Sequence, residues 1–350
     1  MTLAFVNRVI SGGGAERFTV NMANYLSLMD DYKVFILTEK RRDSEYSLNS
    51  KIHRLDFLKN KRYLSNISKI IHFTHENNID ILVGIDIEPN LLVCISSLFL
   101  NIKCVISERN APKQVNISKL NRFLRFIFYR FANGYIFQTE GAKSYYSKKI
   151  QQRSIVIHNP VKPDLPYKSN VGNKEIIAIG RLNIQKNYPV LFRAFAEVHK
   201  KHTDYILRIF GEGSEKEKLE TLSKKLGIDC AVKFEGFSLD IHEKIKDSQI
   251  FVMTSNFEGM PNALIEAMAM GFPCIATDCP SGGPAELIRD GENGLLVPVG
   301  DEFAIANRIC ELIDNPDLRE SLSEKAVCIR KTHAISEIME KWQQFLSTNL

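Results

Sequence analysis

Long apolar runs are missing from this sequence of 350 residues. The longest, Leu91–Leu100, is about half of the roughly 20 residues that a membrane-spanning helix needs, and Asn101 and Lys103 follow it. The first residues carry Arg8 in the middle of an apolar stretch, which is not the pattern of a secretory leader. We therefore expect a cytoplasmic protein without a transmembrane segment.

Paired cysteines are missing as well. The seven cysteines are scattered, odd in number, and include no Cys-x-x-Cys pair. This spacing argues against a disulfide framework and a structural zinc site, and it indicates a reducing compartment. Asp-x-Asp, a common metal-binding pattern, does not occur either, so the sequence predicts neither a metal nor a cofactor.

The charges that are present lie unevenly along the chain. Residues 1–170 hold 25 Lys and Arg against 14 Asp and Glu, whereas residues 171–350 hold 21 against 27. The first half is thus at +11 and the second at −6. This polarity suggests that the first half meets an anionic partner. Without interleaved aromatic and basic recognition motifs, nucleic acid is a poor candidate for that partner.

Short apolar segments alternate with helical patterns through the whole chain. Such alternation predicts an α/β fold with parallel sheets and helices on both faces. The polar, proline-containing stretch at 160–173 separates two halves, so we expect two Rossmann-like domains at residues 1–165 and 170–335. The strand candidates are 3–6, 33–37, 52–55, 79–84, 103–106, 134–137 and 155–157, then 175–179, 205–210, 232–235, 250–254, 274–277 and 294–297.

The most informative stretch is 255–278, which reads SNFEGMPNALIEAMAMGFPCIATD. A turn at Glu258 leads to Pro261, which we expect at the first helical position, and Gly271 is placed to end the helix. The unpaired N–H groups of Asn262, Ala263 and Leu264 could bind a phosphate. A carboxylate there would instead accept hydrogen bonds from sugar hydroxyls. Two acids, one in the turn and one in the helix, therefore predict a site for a nucleotide-sugar.

A second cluster of charge follows another strand, in GRLNIQKNYPVL. Arg181 and Lys186 place two cations on one loop. Two fixed cations suit a diphosphate, where they would neutralise charge on a leaving group.

Glu258 and Glu266 have seven residues between them and are embedded in EGMPNALIEAMAMGFPCIATD. They resemble the Glu-x7-Glu motif of the retaining GT-B glycosyltransferases of group 1, family 4. Arg181 and Lys186 resemble the Arg-x4-Lys pair of the same family. The resemblance implies a GT-B fold, in which two Rossmann-like domains face each other across a cleft. It also implies that a C-terminal helix at about 336–350 packs back on the first domain.

The resemblance also assigns roles to residues. Glu258 would hold the donor sugar, Glu266 the ribose, and the amides of residues 262–264 the diphosphate. The family's other donor loops correspond to Gly13 and Gly14, to Gly211 and Gly213, and to Phe237. The glycines at 12–14 are not a Gly-x-Gly-x-x-Gly pattern, so a dinucleotide site using Glu39 is a weaker alternative.

The acceptor side is expected in the first domain. Glu108, Arg109 and Asn110 follow a strand and should point toward the ligand, in a loop where many relatives carry a histidine. The pattern at 118–132 predicts a helix with a core stripe at positions 120, 123, 124, 127, 128 and 131. Phe126 and Tyr129 would lie on the opposite face with Arg122 and Arg125, as an anionic membrane surface or a lipid-linked pyrophosphate would require.

The sequence therefore predicts a retaining, metal-independent glycosyltransferase. It would use a UDP-sugar and a lipid-linked glycan acceptor in O-antigen or capsule assembly, at the inner face of the cell membrane. Two alternatives remain: a UDP-sugar epimerase of the same fold, and an inactive subunit that binds nucleotide-sugar.

Overall fold

The computed structural model describes residues 1–11, 13–42, 45–59, 62–113, 117–169 and 172–348. The chain divides into two compact units. Unit 1 comprises Met1–Pro160 together with Ser336–Leu350, and unit 2 comprises Val161–Ile335.

Unit 1 contains a seven-stranded parallel sheet in the order β3-β2-β1-β4-β5-β6-β7. Its strands are mostly buried apolar residues, as expected for a sheet covered on both faces. The strands are β1 Thr2–Val6, β2 Lys33–Thr38, β3 His53–Asp56, β4 Ile81–Ile85, β5 Lys103–Glu108, β6 Gly134–Phe137 and β7 Ser154–Val156. The helices are α1 Gly14–Ser27, α2 Tyr63–Asn77, α3 Ile87–Ser97, α4 Lys119–Phe128, α5 Glu140–Ser144 and α6 Lys148–Gln151, with a 3-10 turn at Tyr129–Phe131.

Unit 2 contains a six-stranded parallel sheet in the order β10-β9-β8-β11-β12-β13. The strands are β8 Glu175–Ile179, β9 Ile206–Phe210, β10 Val232–Gly236, β11 Ile250–Met253, β12 Cys274–Thr277 and β13 Leu295–Val297. The helices are α7 Tyr188–His199, α8 Lys216–Lys225, α9 Ile241–Ile245, α10 Asn262–Met270, α11 Gly283–Leu287, α12 Glu302–Asp314, α13 Pro316–Ala326 and α14 Ile329–Thr332. The last helix of the chain, α15 Ile335–Thr348, contributes to unit 1.

Both sheets reverse their strand order at one place. In each sheet the first three strands of the unit lie side by side in chain order. The fourth strand then pairs with the free side of the first strand, and the later strands continue in the opposite direction. The reversals lie between β1 and β4 in unit 1 and between β8 and β11 in unit 2. Doubly wound sheets bind ligands at the carboxyl ends of the strands that flank such a reversal. The topology therefore locates a candidate site in each unit.

The predicted α/β architecture is confirmed, and each predicted strand is present with ends that differ by at most two residues. One local prediction was wrong. Pro261 is not the first helical residue but the N-cap of α10, with φ −78° and ψ 105°. Proline lacks an N–H and fixes φ, so it suits the position before the helix as well as the first turn.

The prediction for residues 118–132 was right for part of the helix and wrong for the rest. Phe126 is exposed as predicted, and Leu124 and Phe128 pack partly buried against the core. Tyr129 and Arg125, however, are buried, whereas Leu120, Phe123 and Phe131 are exposed. The helix ends at Phe128 and tightens into the 3-10 turn, which changes the angular position of the later residues. The prediction assumed that the apolar stripe of a helix faces the core. This assumption fails for a helix with apolar residues on its exposed face as well.

Candidate functional site

The site in unit 2 is built around an ion pair on the two loops that flank its strand reversal. Lys186, on the loop after β8, places Nζ 2.6 Å from Oε1 of Glu258, on the loop after β11. Both side chains are largely withdrawn from water, with 17% and 9% exposed. Sequence analysis selected both residues, and the fold brings them together from positions 72 residues apart.

Residues that sequence analysis did not select fix the Glu258 carboxylate. The Ser255 hydroxyl donates to Oε1 at 2.7 Å, and the Gln185 side chain donates to Oε2 at 3.4 Å and to the Phe257 carbonyl at 3.0 Å. Charge-assisted bonds of this kind hold a carboxylate in one orientation. Gln185 precedes Lys186 directly, and this adjacency was the only sequence signal for its role.

The two loops are also tied to each other by asparagines. Asn256 donates from its side chain to the Ile184 carbonyl at 2.8 Å and from its backbone to the Gln185 carbonyl at 2.8 Å. Asn187, at φ 49°, donates to the Asn256 side chain at 3.0 Å. Asparagine tolerates this left-handed conformation better than most residues. The loop that carries Lys186 is therefore fixed against the loop that carries Glu258.

Glycines allow the neighbouring loops to approach. A Cβ on Gly211 would lie 2.1 Å from the carbonyl oxygen of Gly180, and one on Gly213 would lie 2.2 Å from that of Leu182. A Cβ on Gly180 itself would lie 2.8 Å from Cε of Lys186. Gly211 and Gly213 thus have a packing reason to be glycine, because the Arg181–Lys186 loop passes directly over them.

The N-terminus of α10 lies four residues after Glu258. The backbone N–H of Ala263 has no acceptor among the described residues, as expected at a helix start. The prediction for Leu264 was wrong, because its N–H donates to the Pro261 carbonyl at 3.1 Å. Asn262 is the first helical residue and lies between Pro261 and Ala263.

The other residues predicted for the nucleotide-sugar site lie at the same edge of the sheet. Nε2 of His242, on α9, lies 2.8 Å from Oε2 of Glu266, so a residue that sequence analysis did not select orients this carboxylate. Phe237 follows β10 and is 70% exposed, and Arg181 is exposed beside Gly180. An exposed aromatic ring and an exposed guanidinium at this edge are available for a ligand.

The candidate site in unit 1 is a cavity of about 600 Å³ beside the reversal between β1 and β4. Its polar lining includes Asn7 and Arg8, which follow β1, and Asp86, which follows β4. Asp86 has φ 75° and accepts hydrogen bonds on Oδ1 from the Ile87 N–H and the Asn110 side chain, both at 3.0 Å. Burial raises the pKa of the Asp86 carboxyl. Of these residues, sequence analysis selected only Asn110; the strand order would have indicated the others.

Glu108 and Arg109 are buried within unit 1, whereas the prediction had their side chains pointing toward a ligand. Glu108 is the last residue of β5, is buried, and accepts a hydrogen bond from the Tyr129 hydroxyl at 2.7 Å. Arg109 is 7% exposed, and its guanidinium lies 3.5 Å from the centre of the Phe18 ring. Burial lowers the pKa of Arg109 to about 9 and raises that of Glu108. The strand continues two residues further than predicted, which carries both side chains into the unit.

Two predicted glycines lie at the start of α1. Gly13 is the N-cap and Gly14 the first helical residue, while Gly12 lies outside the described residues. Within the described ranges, no three His, Cys, Asp or Glu side chains are grouped as metal ligands. None of the described helices has the length and apolar content needed to cross a bilayer.

Two Rossmann-like units with parallel sheets of seven and six strands are the architecture of the GT-B glycosyltransferases. Family models agree over most of the chain: Glycosyltransferase Family 4 matches residues 12–165, and Glycosyl transferases group 1 matches residues 165–327. The chain belongs to this family of glycosyltransferases.

Two of the similar proteins come from Haemophilus influenzae and Campylobacter jejuni, both bacteria. An uncharacterized glycosyltransferase of Haemophilus influenzae is 28% identical over 350 residues, 98% of each chain. The GalNAc-alpha-(1->4)-GalNAc-alpha-(1->3)-diNAcBac-PP-undecaprenol alpha-1,4-N-acetyl-D-galactosaminyltransferase of Campylobacter jejuni is 26% identical over 361 residues, 99% of this chain and 98% of its own. Anabaena Alr3699/HepE, solved in complex with UDP, has the same fold, with a TM-score of 0.83 at 19% identity over 99% and 100% of the two chains.

Proposed function

We propose that this protein is a retaining glycosyltransferase that moves a sugar from a UDP-sugar to a lipid-linked glycan. The reaction would serve bacterial surface polysaccharide assembly of the O-antigen or capsule kind, with the protein peripheral on the inner face of the cell membrane. The observation that carries the proposal is the Lys186–Glu258 pair, 2.6 Å apart beside the N-terminus of α10. It places a cation, a carboxylate and a helix N-terminus at one strand reversal.

In this proposal the diphosphate binds at α10, because the N–H of Ala263 and the helix dipole favour an anion there. Lys186 and Arg181 neutralise the phosphates. Glu258, still held by Ser255 and Gln185, accepts hydrogen bonds from the hydroxyls of the donor sugar. Glu266, held by His242, accepts hydrogen bonds from the ribose. The donor is proposed as UDP-linked because a structure of the same fold holds UDP.

The proposed transfer needs neither a metal nor a cofactor. The bond between the anomeric carbon and the diphosphate breaks as the acceptor oxygen bonds to the same carbon from the same face. The acceptor proton passes to a phosphate oxygen of the departing UDP. Arg181, Lys186 and the helix N-terminus stabilise the charge that develops on that leaving group.

The acceptor is proposed to bind in unit 1, in the cavity lined by Asn7, Arg8, Asp86 and Glu88. Carboxylates and amides at a strand reversal are suited to sugar hydroxyls. A lipid-linked acceptor is proposed because similar proteins of Campylobacter jejuni are named for undecaprenol-linked substrates. The excess of positive charge in residues 1–170 supports contact with an anionic membrane.

The test is to incubate the purified protein with a panel of nucleotide-sugars, with and without EDTA. We expect thermal stabilisation by UDP, slow hydrolysis of one UDP-sugar, and release of the sugar with its α anomeric configuration retained, as read by NMR. EDTA should leave the rate unchanged. An epimerised UDP-sugar, or binding without turnover in the presence of lipid-linked acceptors, would replace this proposal with the epimerase or the inactive subunit.

A further inference from the structure

A second cavity in unit 1, of about 710 Å³, lies apart from the strand reversal. One wall is α4 with the 3-10 turn that follows it. The other is formed by residues 145–147, which follow α5, by α6, and by Arg153. Phe131 precedes β6 and Arg153 precedes β7, so the cavity reaches the amino edge of the sheet. It shares no lining residue with the 600 Å³ cavity proposed for the acceptor. We call it the α4 pocket.

The charged side chains that line the α4 pocket are all positive. Its ionisable lining comprises tyrosines and five cations, without a carboxylate among the described lining residues. Four of the cations have no ion pair within the described parts of the chain, since only Arg125 reaches an acid. A concave surface with this charge attracts anions. The cations are Arg122, Arg125, Arg130, Lys149 and Arg153.

Arg125 gives the pocket a fixed charge beneath its surface. Its side chain is 5% exposed, and Nη2 donates to the Tyr145 hydroxyl at 3.1 Å. Nη1 has no hydrogen-bond acceptor among the described residues, and the nearest carboxylate oxygen, on Glu108, is 3.9 Å away. Burial raises the pKa of Glu108, which weakens it as a counter-ion. Buried donors normally have a partner, so this guanidinium is set up for an anion that approaches from the pocket.

Large apolar side chains surround the pocket on the outside. Phe126 is 74% and Phe131 47% exposed, and Leu120 and Phe123 extend the apolar surface along α4. Arg130 lies 5.3 Å from the centre of the Phe126 ring, so charge and aromatic surface occur side by side. Exposed Phe and Leu beside Arg and Lys are typical of helices that lie in the interface of a membrane. Binding of a soluble anion to the pocket would explain the cations but would not explain why these aromatic rings are exposed.

We propose that the α4 pocket binds the phosphate headgroup of an anionic membrane lipid, and that Phe126 and Phe131 enter the acyl boundary beside it. This deepens the proposed membrane association and rests on it. It names the surface that meets the membrane and distinguishes this lipid from the acceptor in the other cavity. The partner is a lipid phosphate because only a lipid combines the anion and the apolar chain that the two surfaces require.

The experiment measures co-flotation of the full-length protein with phosphatidylcholine vesicles, with and without phosphatidylglycerol, at low salt. The double variant Arg130→Gln/Lys149→Gln removes one exposed cation from each wall. Arg41→Gln/Lys51→Gln removes the same charge from exposed positions elsewhere in unit 1 and is the matched control. Phe126→Ser tests how much the apolar surface contributes to vesicle binding. Because Phe126 is 74% exposed, we expect this substitution to leave the fold intact.

We expect phosphatidylglycerol vesicles to bind the wild type and phosphatidylcholine vesicles to bind it weakly. The pocket double variant should lose about tenfold or more in partition, and the control less than about threefold. Phe126→Ser should lose binding while the charge is unchanged. Equal losses in the pocket and control variants, or tighter binding to RNA or an acidic peptide than to vesicles, would overturn the inference.

Thermal stabilisation by UDP, measured on the same preparations, separates the two proposals. A protein that binds vesicles through the pocket but is not stabilised by UDP would contradict the proposed function and leave the pocket in place. Stabilisation by UDP with no vesicle binding would contradict the pocket alone.

Discussion

At the scale of single residues, the site consists of charges held by neutral neighbours. Glu258 is 7% exposed and bonds to Ser255, Gln185 and Lys186. Such a carboxylate does not need to be reoriented when a ligand replaces the lysine. Pre-organisation of this kind accounts for much of the catalytic advantage of charged groups in enclosed sites.

The first prediction concerns this carboxylate. Glu258→Gln keeps the size and accepts the Ser255 hydrogen bond, but it removes the charge. We expect transfer to fall by a factor of about 10²–10³ while the affinity for UDP changes by less than about threefold, because the residue serves the sugar. Steady-state transfer and calorimetric UDP titration measure the two effects. Glu292→Gln, on an exposed turn of the same unit, is the control and should behave as wild type.

Arg109 shows the opposite situation, a buried cation whose nearest hydrogen-bond acceptors are neutral. Nη1 donates to the Asn159 side chain at 3.1 Å, and Nε and Nη2 have no partner among the described residues. A charge in this position costs folding free energy. A residue that lowers stability and sits directly after β5 is more readily explained by function than by packing.

The second prediction follows from that cost. Arg109→Met should raise the free energy of unfolding at pH 7 by about 1–3 kcal/mol and lower transferase activity. Because burial lowers the pKa of Arg109 to about 9, the unfolded chain holds this proton at pH values where the folded chain releases it. The stability gained by the variant should therefore shrink as the pH rises above 9. Urea unfolding at several pH values measures it; a large loss of stability at pH 7 would contradict the prediction.

At the scale of elements, the loops after β8 and β9 are interlocked. The Gly180 N–H donates to the Phe210 carbonyl, and the Leu182 N–H donates to the Glu212 carbonyl, both at 2.9 Å. The backbones are close enough that side chains at 211 and 213 cannot be accommodated. The loop that presents Arg181 and Lys186 thus depends on its neighbour for its shape.

The third prediction tests that dependence. Gly211→Ala places a Cβ 2.1 Å from the Gly180 carbonyl, so the Arg181–Lys186 loop must move. We expect unit 2 to lose more than about 2 kcal/mol of stability and UDP affinity to fall by about tenfold or more. The control, Gly227→Ala, is also at positive φ but has no atom near its Cβ. It should cost about 1 kcal/mol and leave UDP binding intact. Equal effects on UDP binding would show that the glycine contact does not shape the site.

At the scale of the whole molecule, the two units differ in how the chain builds them. Unit 2 is a continuous segment, whereas unit 1 needs α15 from the C-terminal end. Trp342 on α15 is fully buried, and its ring centre lies 5.0 Å from that of Phe18 on α1. It is the only tryptophan in the sequence, so tryptophan fluorescence reports on unit 1.

The fourth prediction uses this difference. Trp342→Ala should destabilise unit 1 by about 3–5 kcal/mol, because a large buried ring is replaced by a cavity. In scanning calorimetry the transition of unit 1 should move down, while the transition that UDP stabilises should move little. Trp342→Phe, which keeps most of the ring volume, is the control and should cost less. A uniform shift of all transitions would contradict the independent building of the two units.

The sequence by itself determined the two parallel sheets and the two loops that carry Lys186 and Glu258. Strand–helix alternation specifies parallel sheets. Local rules also located the turn and the helix of the Glu258–Asp278 segment, although they misplaced the helix start at Pro261 by one residue. Only the tertiary structure decided which residues meet. Strand order and packing between distant segments determine the Lys186–Glu258 pair, the His242–Glu266 contact and the cavity at Asp86. They also determine the burial of Arg125 and Tyr129. The periodicity of residues along one helix or strand contains no information about strand order or about packing between distant segments.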